Sequence, residues 1–339
     1  MKFDYCIGNP PYQETRGGTK NIDVWDGFIY AANDICKVTC MIHPGRWVNP
    51  KKQMIATKEK IIKTGLKDFK YYQNSVDVFG RDIKVDGGIS ITMFERGYTG
   101  TIMYSSENGA KKEYKKDGVF LSDEYYTEAY NKVNVQNIGN IAHRIIGNIG
   151  SLGGSEFGYH KHTQIDKLTD DKDSLVKPIK IWANMSFGKG TRFDWHYIDK
   201  CELNNIPEGL FSSRKVMLDK KGNALSYGRG NVINNIPQIV DAESTASGDV
   251  LFVFPENDTD YELQLIKSYF MTRTVRFLMS ITQKDLCVRG FENVPDYTFF
   301  IDKLNGELFT DDFLYKYFNF SEKLIAHIEK CVSEKKEME

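Results

Sequence analysis

The sequence predicts an α/β fold: a partial, mostly parallel Rossmann-like sheet over the first hundred residues, a mixed α+β region after it, and a helical C-terminal segment. Three observations carry this. Short apolar runs alternate with stretches of 3.6-residue period up to residue 104, the order of strands and helices in a sheet of this class. Beyond residue 119, short strand-like runs are separated by Gly, Asn and Ser clusters. Residues 311–333 return to a helical period. These shifts divide the chain into expected domains at 1–106, 107–300 and 301–339.

The elements follow in order. Residues 3–7 form a short apolar strand, stopped by Gly8, Asn9, Pro10 and Pro11, because two prolines can neither extend a ladder nor sit inside a helix. Residues 23–37 place Val24, Phe28, Ile29, Ala32 and Ile35 on one stripe, the pattern of a helix lying on a sheet. A second buried strand spans 37–42 and ends at His43, Pro44 and Gly45. A second helix covers 54–63. Residues 85–95 and 101–104 read as two strands joined in a hairpin across residues 96–100. The polar stretch 105–118 is a linker or an exposed hairpin tip. Short strands are expected near 180–182, 215–218 and 250–254, helices at 123–133 and 260–280, and a helical pair or one broken helix at 311–333.

Composition excludes several classes. Of 339 residues, 41% are apolar and 27% charged, which is globular rather than disordered. Forty-five basic against 46 acidic residues leave a net charge of −1, so any surface for a polyanion must be a local patch. Apolar runs fall short of the ~18 residues of a membrane span, and the first residues lack a signal-peptide layout, so a cytoplasmic protein is expected. The six cysteines show no paired CxxC spacing. Cys36 and Cys40 read as small core residues, and His160 and His162 as surface. Neither HExxH nor GxSxG occurs, which removes metalloprotease and serine-hydrolase readings.

The sharpest signal is Asn9-Pro10-Pro11-Tyr12 directly after a short apolar strand. An exocyclic amine of a base is a poor nucleophile because its lone pair is delocalised into the ring. Two acceptors, the Asn9 side-chain oxygen and the Pro10 carbonyl, can take both N–H groups and localise that lone pair. Proline adds an acceptor without a competing donor and fixes the local backbone. Tyr12 offers a flat face to a base taken out of the duplex. The chemistry needs orientation and electrostatics rather than a covalent nucleophile.

With its flanks, the motif resembles the Eco57I-like restriction–modification methyltransferases, which modify adenine N6. Residues 3–13 and 41–47 look like consecutive elements of that family. Residues 77–79 and 85–90 resemble its next block, and residues 272–278, 282–284, 294–295 and 313–318 its closing segments. The resemblance implies methyl transfer from S-adenosylmethionine to a flipped adenine in double-stranded DNA, with catalytic residues Asn9, Pro10, Pro11 and Tyr12. Phe79 is a candidate wall of the base pocket. It also implies a DNA target-recognition domain within 107–300. One departure stands out: the family's Gly-rich cofactor loop should precede the catalytic strand, and only eight residues precede Asn9. Gly147, Gly150, Gly153 and Gly154 are the best substitute and read as a recognition-domain loop. The expectation is therefore an unpaired apolar strand edge at 3–7, an N-terminal companion polypeptide or subunit, and little or no activity of the chain alone.

Candidate DNA contacts are Lys189, Arg192, Arg214, Lys215 and Arg229, several of them beside glycines that permit close phosphate approach, and a stripe of Arg273, Arg276 and Lys284. Trp182 and Trp195 read as core anchors. Two alternatives stay open: a non-catalytic DNA-binding specificity module, and transfer to cytosine N4, which uses the same amine chemistry. No carboxylate pair with a lysine supports a nuclease, and no set of residues supports a metal.

Overall fold

The computed structural model describes residues 3–16, 20–49, 54–80, 83, 85, 87–105, 111–117, 121–147, 167–184, 193–203, 206–219, 232–246, 250–282 and 290–335. It is a mixed α/β chain that divides into two compact units, Met1–Val135 and Gln136–Glu339.

In the first unit, β1 (Phe3–Gly8) is followed by a small hairpin of β2 (Gln13–Arg16) and β3 (Lys20–Asp23), then α1 (Trp25–Ile35) and β4 (Cys36–Pro44). Next come α2 (Ile55–Lys63), β5 (Leu66–Tyr72), the single turn α3 (Val76–Phe79), β6 (Ile89–Glu95), β7 (Ile102–Ser105), β8 (Lys111–Tyr114) and α4 (Glu124–Asn134). Six strands form one sheet in the order β1-β4-β6-β5-β7-β8. β1 and β4 are parallel, with Phe3 opposite Cys36 and Gly8 opposite Met41. β6 runs antiparallel to both β4 and β5, and β5 is parallel to β7.

The hairpin expected between 85–95 and 101–104 does not form. β5 lies between β6 and β7 and pairs with both. β5 itself escaped the sequence reading because a bulge between Leu66 and Asp68 breaks its alternation. The polar stretch after residue 105 does turn back: β8 pairs antiparallel with β7. The compact first unit thus extends past the expected boundary at 106, since β8 completes its sheet and α4 follows.

Side chains alternate across this sheet. One face carries His43, Phe69, Tyr104 and Tyr114, from β4, β5, β7 and β8. With Trp25 and Trp47 these form a line of rings at centroid spacings of 4.6 to 6.3 Å. That face is the core, which also holds Ile29, Ile61, Leu66 and Phe94. The other face, with Tyr5, Ile7, Val38, Cys40, Ile42, Ile91, Met93 and Met103, is only half-buried or exposed. The α2-to-β5 turn requires glycine: Gly65 has φ +99°, and a Cβ there would lie 2.4 Å from the Glu95 carbonyl oxygen.

Among the described residues the second unit holds two small sheets. β10 (Pro178–Asn184) lies between β11 (Phe193–Asp199) and β14 (Ser244–Ala246). β12 (Lys215–Asp219) and β15 (Val250–Val253) lie between β13 (Gln238–Val240) and β9 (Ile145–Gly147). Helices α5 (Asp260–Met271), α6 (Arg273–Ser280), α7 (Ile301–Leu304), α8 (Asp311–Tyr317) and α9 (Glu322–Cys331) complete it. The helix expected over 260–280 is broken at Thr272. Its backbone is extended (ψ 143°), and its hydroxyl accepts from Val275 N to cap α6. Thr259, Thr310 and Ser321 cap α5, α8 and α9 in the same way.

Candidate active site

β1, β4 and β5 all point the same way, so their carboxyl ends lie along one edge of the sheet. That edge is where ligands bind in open α/β sheets. It carries the Asn9–Tyr12 turn after β1, Pro44 to Trp47 after β4, and the turn leading into α3 after β5. At about 4.8 Å per strand, β1 and β5 stand roughly 14 Å apart, with β4 and β6 between them.

Asn9 and Pro11 are exposed, and Pro10 and Tyr12 are half-buried. Among the described residues, neither the Asn9 amide nor the Pro10 carbonyl has a hydrogen-bond partner. The Tyr12 ring packs on the unit's core. Its hydroxyl is buried and has no partner among the described residues, and burial holds its pKa above the ordinary value. Gly8 lets the strand end pass close over β4: a Cβ there would come within 3.1 Å of Met41 Sδ.

The far side of the turn is fastened by residues the sequence reading did not single out. Val24 N donates to the Tyr12 carbonyl at 3.2 Å, closing the β2–β3 hairpin onto the turn. Gln13 pairs in register with Asp23, and Gln13 Nε2 donates to Asp23 Oδ1 at 3.3 Å. Arg46, just after β4, forms an ion pair with the same Asp23 carboxylate. A possible signal was the polar symmetry of 13–23 about its tip, but the Arg46 contact spans 23 residues and leaves no local trace.

Behind the turn, His43 is fully buried and stacks on Trp25 at 4.6 Å. Its Nε2 lies 2.9 Å from Thr92 Oγ1 and its Nδ1 3.2 Å from the Pro44 carbonyl. Burial drives its pKa down to about 3, so the ring is neutral and structural. Phe79 closes α3 at the same sheet edge, half-buried. No group of His, Cys, Asp or Glu among the described residues could hold a metal.

The expected DNA contacts divide sharply. Lys189, Arg192, Arg229 and Lys284 lie outside the described residues, as do Gly150, Gly153, Gly154, His160 and His162. Lys215 must be corrected: it is fully buried under Phe211, Phe252 and Phe254. Its ammonium donates to the carbonyls of Leu210 (2.8 Å), Asp241 (3.3 Å) and Ala242 (2.7 Å), and burial pulls its pKa down to about 8. Arg276 is also fully buried and cannot reach a phosphate in solution. Arg214 is partly exposed, but its guanidinium is held by Asp258 (2.7 Å) and Asp260 (2.5 Å). Arg273 remains partly open. Trp182 and Trp195 pack edge-to-face at 5.2 Å against a core cluster, as anchors.

Residues 1–79 match the Eco57I restriction-modification methylase family. This Eco57I-matching segment contains β1, the Asn9–Tyr12 turn, the hairpin, β4 and α3. An uncharacterized adenine-specific methylase of Mycoplasma pneumoniae is 30% identical over 119 residues, covering 33% of this chain and 28% of that protein. Among solved structures, the DrdV–DNA complex aligns over 87% of this chain and 43% of its own, at 10% identity and a TM-score of 0.44. The type ISP restriction-modification enzyme LlaGI, solved with a DNA substrate mimic, aligns over 84% and 40%, at 11% identity and a TM-score of 0.44. The chain thus spans less than a third of the curated relative and less than half of these two structures.

Proposed function

We propose that this chain carries the catalytic turn and the DNA-recognition portion of a restriction–modification DNA methyltransferase acting on adenine N6. The observation that carries the reading is a pair of acceptors, Asn9 and the Pro10 carbonyl, without partners among the described residues, on a partly exposed turn at the carboxyl end of β1. The match of residues 1–79 supports it, as does the adenine-specific relative.

Both oxygens are acceptors, and the Pro10 carbonyl has no N–H beside it because Pro11 follows, which suits an amine presenting two N–H groups. Asn9 Oδ1 and the Pro10 carbonyl accept those hydrogens and turn the nitrogen lone pair outward. Tyr12, anchored in the core, supports the face of a base extruded from double-stranded DNA. S-adenosylmethionine would supply an electrophilic methyl group on a sulfonium. As the N–C bond forms the S–C bond would break, its electron pair staying on sulfur as the neutral thioether S-adenosylhomocysteine, and the amine proton would pass to water.

The same reading gives the chain a companion polypeptide. Among the described strands β1 pairs with β4 alone, and Phe3, Tyr5 and Ile7 are 49%, 74% and 83% exposed. An apolar strand with a bare edge is a template for a further strand, and the half-open sheet face beside it is where a helix would pack. We place the main cofactor seat on that companion, so the chain alone should transfer methyl poorly or not at all.

The test is product analysis. The full chain is incubated with duplex DNA and labelled S-adenosylmethionine, alone and co-expressed with the reading frame upstream of Met1. The hydrolysed DNA is then read by mass spectrometry. N6-methyladenine formed by the pair supports the reading. N4-methylcytosine moves the substrate to cytosine, and DNA binding without any methylated base favours a non-catalytic specificity module.

A further inference from the structure

We infer that a pocket in the C-terminal unit binds a phosphate group through the forked guanidinium of Arg273. The inference stands independently of methyl transfer. The pocket encloses about 440 Å³ between the end of α5, the start of α6, the start of α8 and the residues after α9, with Lys267, Ser268, Arg273, Thr310, Glu334 and Lys335 in its wall.

Arg273 is the reason. Its side chain is 22% exposed, yet among the described residues its guanidinium donates no hydrogen bond. Among the described residues its buried Nε has no partner, and its ionic neighbour there, Glu334, stands at 3.7 Å, beyond hydrogen-bond reach. Leaving the buried Nε–H of a guanidinium unmet is costly. One helical turn on, Arg276 is fully buried. It donates to the Thr272 and Met271 carbonyls, at 3.2 and 3.0 Å, while its Nη1 has no partner.

The nearby carboxylates leave this charge unquenched. Asp311 is engaged elsewhere, accepting from Arg273 N (3.0 Å), Thr274 N (2.8 Å) and Thr274 Oγ1 (2.8 Å) at the start of α6. Lys335 donates to the Asn234 carbonyl at 2.7 Å. Burial, with Arg276 close by, lowers its pKa to about 8 despite the pull of Asp219. In the cavity wall Lys267, Arg273 and Lys335 stand against Asp311 and Glu334, an excess of one positive charge among the described residues around a cavity larger than a bare anion. An esterified phosphate meets both conditions. It accepts the planar fork bidentately, and its ester group occupies the remaining volume.

Two sources share that chemistry: the DNA backbone and a free phosphate ester. The full chain is titrated with inorganic phosphate at constant ionic strength, followed by calorimetry. Saturable binding is expected, weakened about tenfold or more in Arg273→Gln. Glu334→Gln, which removes the competing carboxylate, should tighten binding severalfold, and this second variant keeps the test sharp should Arg273→Gln unfold. Competition by duplex DNA assigns the pocket to the backbone; phosphate binding indifferent to DNA assigns it to a free ester. Absence of saturable binding, or equal binding by wild type and both variants, overturns the inference.

Discussion

The turn after β1 and the lysine that opens β12 are both polar groups beside strands, in opposite surroundings. Asn9 is exposed, with its amide unpartnered among the described residues, while Lys215 is fully buried and donates to three carbonyls. A polar group with free hydrogen-bonding capacity in solvent is available to a substrate. One whose capacity is spent inside the fold stabilises the fold instead. The difference teaches that residue type gives the chemistry a side chain could do, and the partners around it decide whether it does that chemistry.

Lys215→Met should break this comparison most visibly. It removes the buried ammonium that donates to three carbonyls and is expected to lower unfolding stability by roughly 2–4 kcal/mol, read from urea denaturation of the full chain. Unchanged stability together with weakened DNA binding would return Lys215 to the DNA surface. A smaller effect is expected at His43. Its pKa of about 3 in the fold lies below its value of 6.5 when free, so the unfolded chain binds a proton that the folded chain refuses. His43 therefore favours the fold fully above pH 6.5, and that contribution is lost as pH falls from 6.5 towards 3. Below pH 6 the slope approaches roughly 1.4 kcal/mol per pH unit. His43→Phe, which keeps a ring against Trp25, should flatten that slope; an unchanged pH profile would show that His43 is not the proton site. Smallest is Arg46→Ala. Removing a partly exposed ion pair should cost about 1 kcal/mol or less, and hydrogen exchange should rise in residues 13–23 before anywhere else. If exchange there stayed as slow as in wild type, Arg46 would have no part in holding the hairpin.

What could be read from the sequence follows the same division. β1, α1 and β4 were legible because their patterns are local, and the turn at Asn9 to Tyr12 because its two prolines directly follow a strand. β5 was hidden by its own bulge, and the expected β6–β7 hairpin failed because β5 pairs between them across the sheet. The break at Thr272 rests on one hydroxyl choosing a cap over a continuing helix. The burial of Lys215 depends on carbonyls from residues 210, 241 and 242, and the fastening of the turn on Asp23 meeting Arg46. Those contacts are made only once the chain has folded.

The most direct test compares wild type with Asn9→Ala in the proposed complex with its companion, measuring single-turnover methyl transfer and DNA affinity side by side. Loss of one preorganised acceptor should slow transfer by roughly 10²–10³-fold, with DNA affinity and unfolding stability essentially unchanged. Transfer at the wild-type rate by Asn9→Ala would contradict the account, because the exposed amide at the end of β1 would then take no part in the reaction.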